Sequence, residues 1–512
     1  SKLEASAATG GIWLENNGDL EIGGITGADG LRAVGPIVVI SFSSIDVVGD
    51  ISSDADVILT TMESSGNASD LSVRKGAVVH SISGDVFLQA GDNITLEKNT
   101  RVNASGTALI HGDYESDDTN GSIMELLGDV TGQSVEVLGN LDDDLMVVAK
   151  ITTMNQTVVR GYAGEDVIRL GEVGKADVYA GGDDDLVQIG SLTLGYAGSV
   201  DQLGMKLQVF GEEGVDALLV DDSGDTANNS GQLTSTSITG LGMGEGIAYE
   251  SIEDLGVFLG SGDDTFSVEG THKLDDFFTV TAIGTGPGND TVTVSLDQMT
   301  DGFIAVDGDD GDDVIDATTS TLPVTMFGGA GDDTLHGGQA NDVIFGDRGR
   351  VDYRDESDNL VTRLGLALSE RTVPGPGAEL PTDVPIPQTD GVARAPTLLT
   401  SRDASAGGND KLTGGGGDDI LDFGSGSDTA EGGTGDDLYV VTPGVRVEVT
   451  DVSGNDTLDF SMAASGVTVD IGVGQGELQC VDDDGGGLVL NAVLETVAGS
   501  DFDVEIRGDE GV

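Results

Sequence analysis

Disulfides cannot hold this chain together, because it has one cysteine, Cys480. Proline is scarce as well: ten residues against 81 glycines, which excludes a collagen-like Gly-X-Y array. Basic side chains are few. Lys and Arg total 22 and Asp and Glu total 92, for a net charge of −70. Such a surface repels phosphates and anionic headgroups, so nucleic acid is excluded as a partner and an anionic membrane surface is disfavoured. No apolar run approaches the ~20 residues of a membrane span. The longest, Ala33 to Phe42, is broken by Gly35 and Pro36, so membrane insertion is not expected. The chain opens on Ser1 with neither Met nor a signal peptide, and is expected to be a processed product or an internal fragment of something longer.

What remains is a glycine- and aspartate-rich chain that is still 38% hydrophobic, with its apolar residues in short regular runs. That patterning excludes a disordered acidic tail. Self-repulsion at this charge opposes any compact state unless cations neutralise it.

Internal repetition is the strongest signal. Ser405 to Val440 divides into nine-residue units SAGGNDKLT, GGGGDDILD, FGSGSDTAE and GGTGDDLYV, and two more, GGAGDDTLH and GGQANDVIF, occupy Gly328 to Phe345. The pattern is G-G-x-G-x-D-x-U-x, with U a large apolar residue. These units resemble the RTX (repeats-in-toxin) calcium-binding family. The resemblance implies a β-roll in which six residues turn and three form a short strand. Glycines permit positive φ and aim carbonyls inward. The sixth-position Asp adds a hard charged oxygen, and calcium takes six to eight such ligands. The implied metal ligands are Asp333, Asp342, Asp410, Asp419, Asp428 and Asp437, with backbone groups of Gly328, Ala330, Gly337, Gln339, Gly414, Gly416, Gly432 and Thr434. Eighth-position side chains, Leu335, Ile344, Leu412, Leu421, Ala430 and Tyr439, are expected inside.

The same turn recurs singly at Gly139–Val147, Gly161–Arg169, Ala180–Gln188, Gly211–Leu219, Leu259–Ser267, Thr285–Thr293, Gly308–Asp316 and Asp451–Asp459. The sixth residues are Asp144, Asp166, Asp185, Asp216, Asp264, Asp290, Asp313 and Asp456. Each reads either as a calcium ligand or as part of a solvated acidic turn. Asp142 and Asp183 displace the fourth-position Gly in two of them. Upstream, Val86, Leu88, Ile94, Leu96, Val102 and Ile110 alternate with polar neighbours, which predicts strands. That segment resembles the β-helical rungs of filamentous haemagglutinin-type adhesins.

The expected fold is therefore all-β, a right-handed parallel β-solenoid in which a β-helix passes into an RTX β-roll. Its expected divisions are a β-helix with few acidic turns (1–137), coils with single acidic turns (138–327), roll (328–350), insertion (351–404), roll (405–460), and capping or continuing strands (461–512). The insertion holds Arg354, Arg363, Arg371, Arg394 and Arg402; Val351 to Leu364 predicts a hairpin and Pro374 to Pro396 an extended loop, together looped out of the solenoid. Trp13 and Cys480 read as packing residues.

Catalytic patterns are missing. His80, His111, His272 and His336 are scattered, no H-E-x-x-H or G-x-S-x-G occurs, and Gly174-Lys175-Ala176 lacks the hydroxyl of a phosphate loop. Arg507-Gly508-Asp509 is a coincidence of composition. No enzyme is expected. The expected role is a calcium-stabilised rod or filament segment of a large secreted protein at a cell surface, surface layer or biofilm matrix, with type I secretion implied by the RTX resemblance. Its expected partners are calcium, other copies end to end or laterally, and glycans. The alternative is a polysaccharide-active or glycan-binding β-helix with an RTX secretion module. Aromatics at 4% favour the first.

Overall fold

The computed structural model describes residues 1–26, 30–63, 68–115, 120–192, 197–274, 279–354, 357–364, 396, 398–402, 407–442, 444–463, 466–470, 476–481, 486–491, 494–499 and 504–507. Among the described residues there is no helix, and so none long and apolar enough to cross a membrane. Two compact units are formed, one from 1–222 and 242–252, the other from 223–241, 253–364 and 396–507. Each is an all-β parallel solenoid.

In the first unit three ladders run from coil to coil. Ile45 pairs with Leu71, Ile94 and Met124 in turn; Ile51 with Val79, Val102 and Val130; Val57 with Val86, Ala108 and Val135. All pairings are parallel, so identical faces superpose. The period-two pattern decides which face turns in: Val86, Leu88, Ile94, Leu96, Val102 and Ile110 are wholly buried, as their alternation predicts. Full burial of each is worth roughly 1.5–3 kcal/mol, and a slip of one residue would reverse every face.

The second unit reduces to two ladders per coil. One runs Val292, Ile315, Leu335, Leu412, Ala430; the other runs Ile344, Leu421, Tyr439, Leu458. The expected eighth-position residues are all buried. Toward the C-terminus Gly487–Leu490 and Thr496–Ala498 continue these ladders, while Val467–Asp470 and Val504–Arg507 make a separate two-stranded sheet.

Three expectations need correction. The insertion does form the hairpin, Arg348–Arg354 against Leu360–Leu364, with Leu398–Arg402 on the other edge. It is not looped out. Val351, Tyr353 and Leu364 pack on Val280, Phe303, Phe327 and Phe345. The cause is local: that sheet has an apolar outer face, and the inserted strands cover it. Their one buried carboxylate, Asp352, is held by Arg363 at 2.8 Å and Arg350 at 3.0 Å. Burial would raise its pKa, but these guanidinium hydrogen bonds hold it well below the usual carboxylate range. The loop expected at 374–396 lies, apart from Pro396, outside the described residues. Trp13 is 67% exposed and Cys480 is exposed, so neither is a packing residue. Both stand at outward positions, which the alternation of short strands does not reveal where the flanking polar pattern is weak.

Replacing Tyr353 with Ala should lower stability in urea unfolding by about 3–5 kcal/mol, the cost of an aromatic-sized void. An unchanged midpoint and slope would mean the hairpin stands free of the solenoid.

Candidate metal centre

The sixth-position Asp of each acidic turn stands at or beside the start of a strand, as Asp333 does before Thr334–His336. Entry into the strand draws it inside. Asp144, Asp166, Asp185, Asp216, Asp264, Asp290, Asp313, Asp333, Asp342, Asp410, Asp419, Asp428, Asp437 and Asp456 are all at most 3% exposed. These side chains are therefore withdrawn from solvent.

Their first oxygens form ladders. In the first unit Asp144 N–H donates to Asp166 Oδ1 at 2.7 Å, Asp166 to Asp185 at 2.8 Å and Asp185 to Asp216 at 3.0 Å. In the second unit one row runs Asp264, Asp290, Asp313, Asp333, Asp410, Asp428, each N–H donating to the next Oδ1 at 2.7–2.9 Å. A second row runs Asp342, Asp419, Asp437, Asp456 at 2.7–3.0 Å. Partners stand 26, 23 and 20 residues apart along the first row and 18 apart at its end, as the coil tightens into the roll. The step from Asp333 to Asp410 is 77 because the insertion interrupts that turn.

The second oxygens are different. Oδ2 of Asp166, Asp185, Asp264, Asp290, Asp313, Asp333, Asp410, Asp419, Asp428 and Asp437 is buried without a hydrogen-bond partner. An unpaired buried carboxylate is strongly disfavoured. Burial, reinforced by neighbouring aspartates, pushes Asp166 up to about 9, Asp185, Asp313, Asp333 and Asp419 to about 8, Asp410 and Asp428 to about 7, and Asp290 and Asp437 to about 6. Asp342, also raised by burial to about 7, differs in that its Oδ2 accepts the Gly338 N–H at 2.6 Å. Asp144 is raised too, and its Oδ2 takes the Asn140 N–H at 2.8 Å.

The first-position glycines make room for these oxygens. A Cβ on Gly328 would strike Asp333 Oδ2 and the Gly346 carbonyl; one on Gly414 would strike Asp419 Oδ2 and the Gly432 carbonyl. The Gly414 carbonyl faces Gly337 and that of Gly328 faces Gly308 in the same way. A carboxylate oxygen and a carbonyl oxygen from the next coil thus converge over a bare Cα, a cradle of hard oxygens that fits calcium. Fourth-position glycines such as Gly331, at φ +135°, stack directly on the neighbouring coil's carbonyl. The third-position carbonyls of Ala330 and Thr434 already accept the N–H of Gly311 and Gly417, both at 2.8 Å. Gly337, Gln339 and Gly416 donate their N–H groups to Thr413, Ser320 and Gly338.

Sequence reasoning missed a second ladder at the fifth position, running the opposite way. Asp332 N–H donates to Asp312 Oδ1 at 3.0 Å, Asn409 N–H to Asp332 at 2.7 Å, Asp418 N–H to Asn341 at 3.0 Å and Asp436 N–H to Asp418 at 2.8 Å. Its signal was present, since the fifth residue of most units is Asp or Asn. Two other participants carry no such signal. Gly346 supplies the first-position glycine for Asp410 from across the insertion, and Glu495 Oε2 ends the second row by accepting the Asp456 N–H at 2.9 Å.

Raised folded-state values have a definite consequence for pH. Without metal, protonation stabilises this fold: the contribution is complete below the ordinary Asp value of 3.8 and is lost as pH rises through the folded values of about 6 to 9. In EDTA the strand signal by circular dichroism should therefore fall between pH 6 and 9; a signal flat across that range would contradict the buried-carboxylate geometry. Substituting Gly414 with Ala should displace Asp419 Oδ2 and weaken calcium binding measured by isothermal titration, whereas unchanged affinity and stoichiometry would mean the cradle is not used.

A family model for the RTX calcium-binding nonapeptide repeat matches four copies here, over residues 325–350, 406–430 and 424–438. No curated protein matches the chain. RTX repeats bind calcium and are not catalytic in themselves. With the buried oxygens and glycine cradles in place, the matched segments are RTX calcium-binding repeats, built into a parallel β-solenoid.

Proposed function

We propose that this chain is a calcium-stabilised structural segment of a large secreted protein, serving as a stiff rod or filament piece at a cell surface, in a surface layer or in a biofilm matrix. The observation that supports this is the row of buried Oδ2 atoms without partners. In this reading Oδ2 of the sixth-position aspartates, with first-position carbonyls such as those of Gly328, Gly414 and Gly432, would hold the ion. Bound calcium supplies the positive charge that a stack of carboxylates lacks. In this reading residues 328–350 and 405–460 are the ion-binding roll, the single turns from Asp264 to Asp313 extend its row within the same unit, and those from Asp144 to Asp216 form a row of their own in the other unit.

The chain's own residues do the rest. In a calcium-poor cytoplasm the aspartates repel one another, and the glycine-rich turns lose much entropy on ordering. The chain stays loose enough for export by a type I route. Extracellular calcium modules work at about 10⁻⁴–10⁻³ M, so folding follows release. At pH 8, EDTA should remove most of the strand signal of the roll and restored calcium should return it. An unchanged spectrum would overturn this reading.

One observation favours glycan binding as a second reading. Arg160, Tyr179 and Phe210 stand in register on successive coils, with Arg160 3.8 Å over the Tyr179 ring and Tyr179 stacked on Phe210 at 4.9 Å. If this face binds sugars, Tyr179→Ala should abolish retention on a polysaccharide affinity gel without changing calcium-induced folding; equal behaviour of the two proteins would dismiss it.

A further inference from the structure

The last acidic turn departs from the others. In the unit Asp451–Asp459 the first position is Asp451, where the other units have glycine, as at Gly308, Gly328, Gly337, Gly414 and Gly432, or an uncharged residue such as Thr285 or Phe423. A side-chain carboxylate therefore replaces a bare Cα. Carboxylate oxygens of Asp437, Asp451 and Asp456 all lie within 4.8 Å of one another. Oxygens that share one calcium through bonds of about 2.3–2.6 Å span a similar distance. Asp437 is 1% exposed, and its buried Oδ2 lacks a hydrogen-bond partner. Hydrogen bonds fix the set in place: Asp451 Oδ1 accepts the Gly433 N–H at 3.0 Å, Asp456 Oδ1 accepts the Asp437 N–H at 3.0 Å, and Asp456 N–H is held by Glu495 at 2.9 Å. The Tyr439 hydroxyl accepts the Gly432 N–H at 2.9 Å, and a Cβ on Gly432 would strike both that hydroxyl and Asp437 Oδ2. The phenol thus stands beside the cluster.

We propose that Asp437, Asp451 and Asp456 form a three-carboxylate cation site, distinct from the carbonyl-rich sites of the other turns and filled before them. It rests on the reading that the acidic turns hold calcium. Affinity in oxygen sites rises with ligand charge, so the site should bind a divalent ion more tightly than its neighbours and favour a trivalent lanthanide of similar size still more.

Terbium titration of the full chain tests this, because Tyr439 is placed to sensitise terbium emission on excitation of its ring. In the native protein tyrosine-sensitised emission should saturate with the first equivalent, at a free-terbium midpoint roughly tenfold below that of the remaining sites. Tyr439→Phe should lose that emission and keep calcium-induced folding. Asp451→Gly, which restores the repeat, should move the midpoint up to that of the other turns; Asp451→Asn, which keeps the size and the Gly433 hydrogen bond, should do the same if the glycine variant fails to fold. A midpoint unchanged in the variants, or emission that rises only after the other sites fill, would overturn the proposal. Failure of the native protein to bind terbium or calcium anywhere would instead refute the calcium-filled turns, and the two outcomes are distinct.

Discussion

A carboxylate has two oxygens, and in the acidic turns of this solenoid they meet different fates. Oδ1 is bonded to the backbone N–H of the adjacent coil, which fixes register and buries the side chain. Oδ2 then lies where water does not reach, in most turns with no donor to satisfy it. The ordinary backbone ladder could hold such coils at their spacing. The buried second oxygens make that stack dependent on something that supplies positive charge, a proton or a cation. Where glycine holds the first position, as at Gly328 and Gly414, it follows from the same constraint, since a Cβ there would strike Oδ2. The net charge of −70 is thus more than a surface property; part of it points inward.

Much of this could be read from the residues because the determinants are local and periodic. Alternation in Val86–Gln89 and Arg101–Ala104 placed the inward face, and a nine-residue spacing placed Asp333 through Asp437 at equivalent turn positions. What could not be read depends on long-range stacking. Whether Asp144 or Asp264 is wet or buried is decided by the coil above it, 22 and 26 residues away. The fifth-position ladder has the same origin: Asp and Asn there look like turn formers until the neighbouring coil's N–H is in place. Gly346 and Asp410 cooperate across an insertion that no local window spans.

The insertion shows how the solenoid treats an exposed apolar face. Phe303, Phe327 and Phe345 project from successive strands of one sheet, and Val351, Tyr353 and Leu364 cover them. Burying Asp352 among those strands requires Arg350 and Arg363, and Arg348 ties the hairpin back to Asp309 and Asp310 at 2.6 and 2.7 Å. Part of the scarce basic charge of this chain is thus used to fasten the insertion.

Crystals grown in calcium, with diffraction collected at long wavelength, would locate the ions directly through their anomalous scattering. Peaks are expected beside the Oδ2 atoms of Asp333, Asp410, Asp419 and Asp437, between successive turns. Density showing those oxygens bonded only to water or to backbone N–H groups, with no anomalous peak between the coils, would contradict the claim that cations neutralise the buried carboxylates.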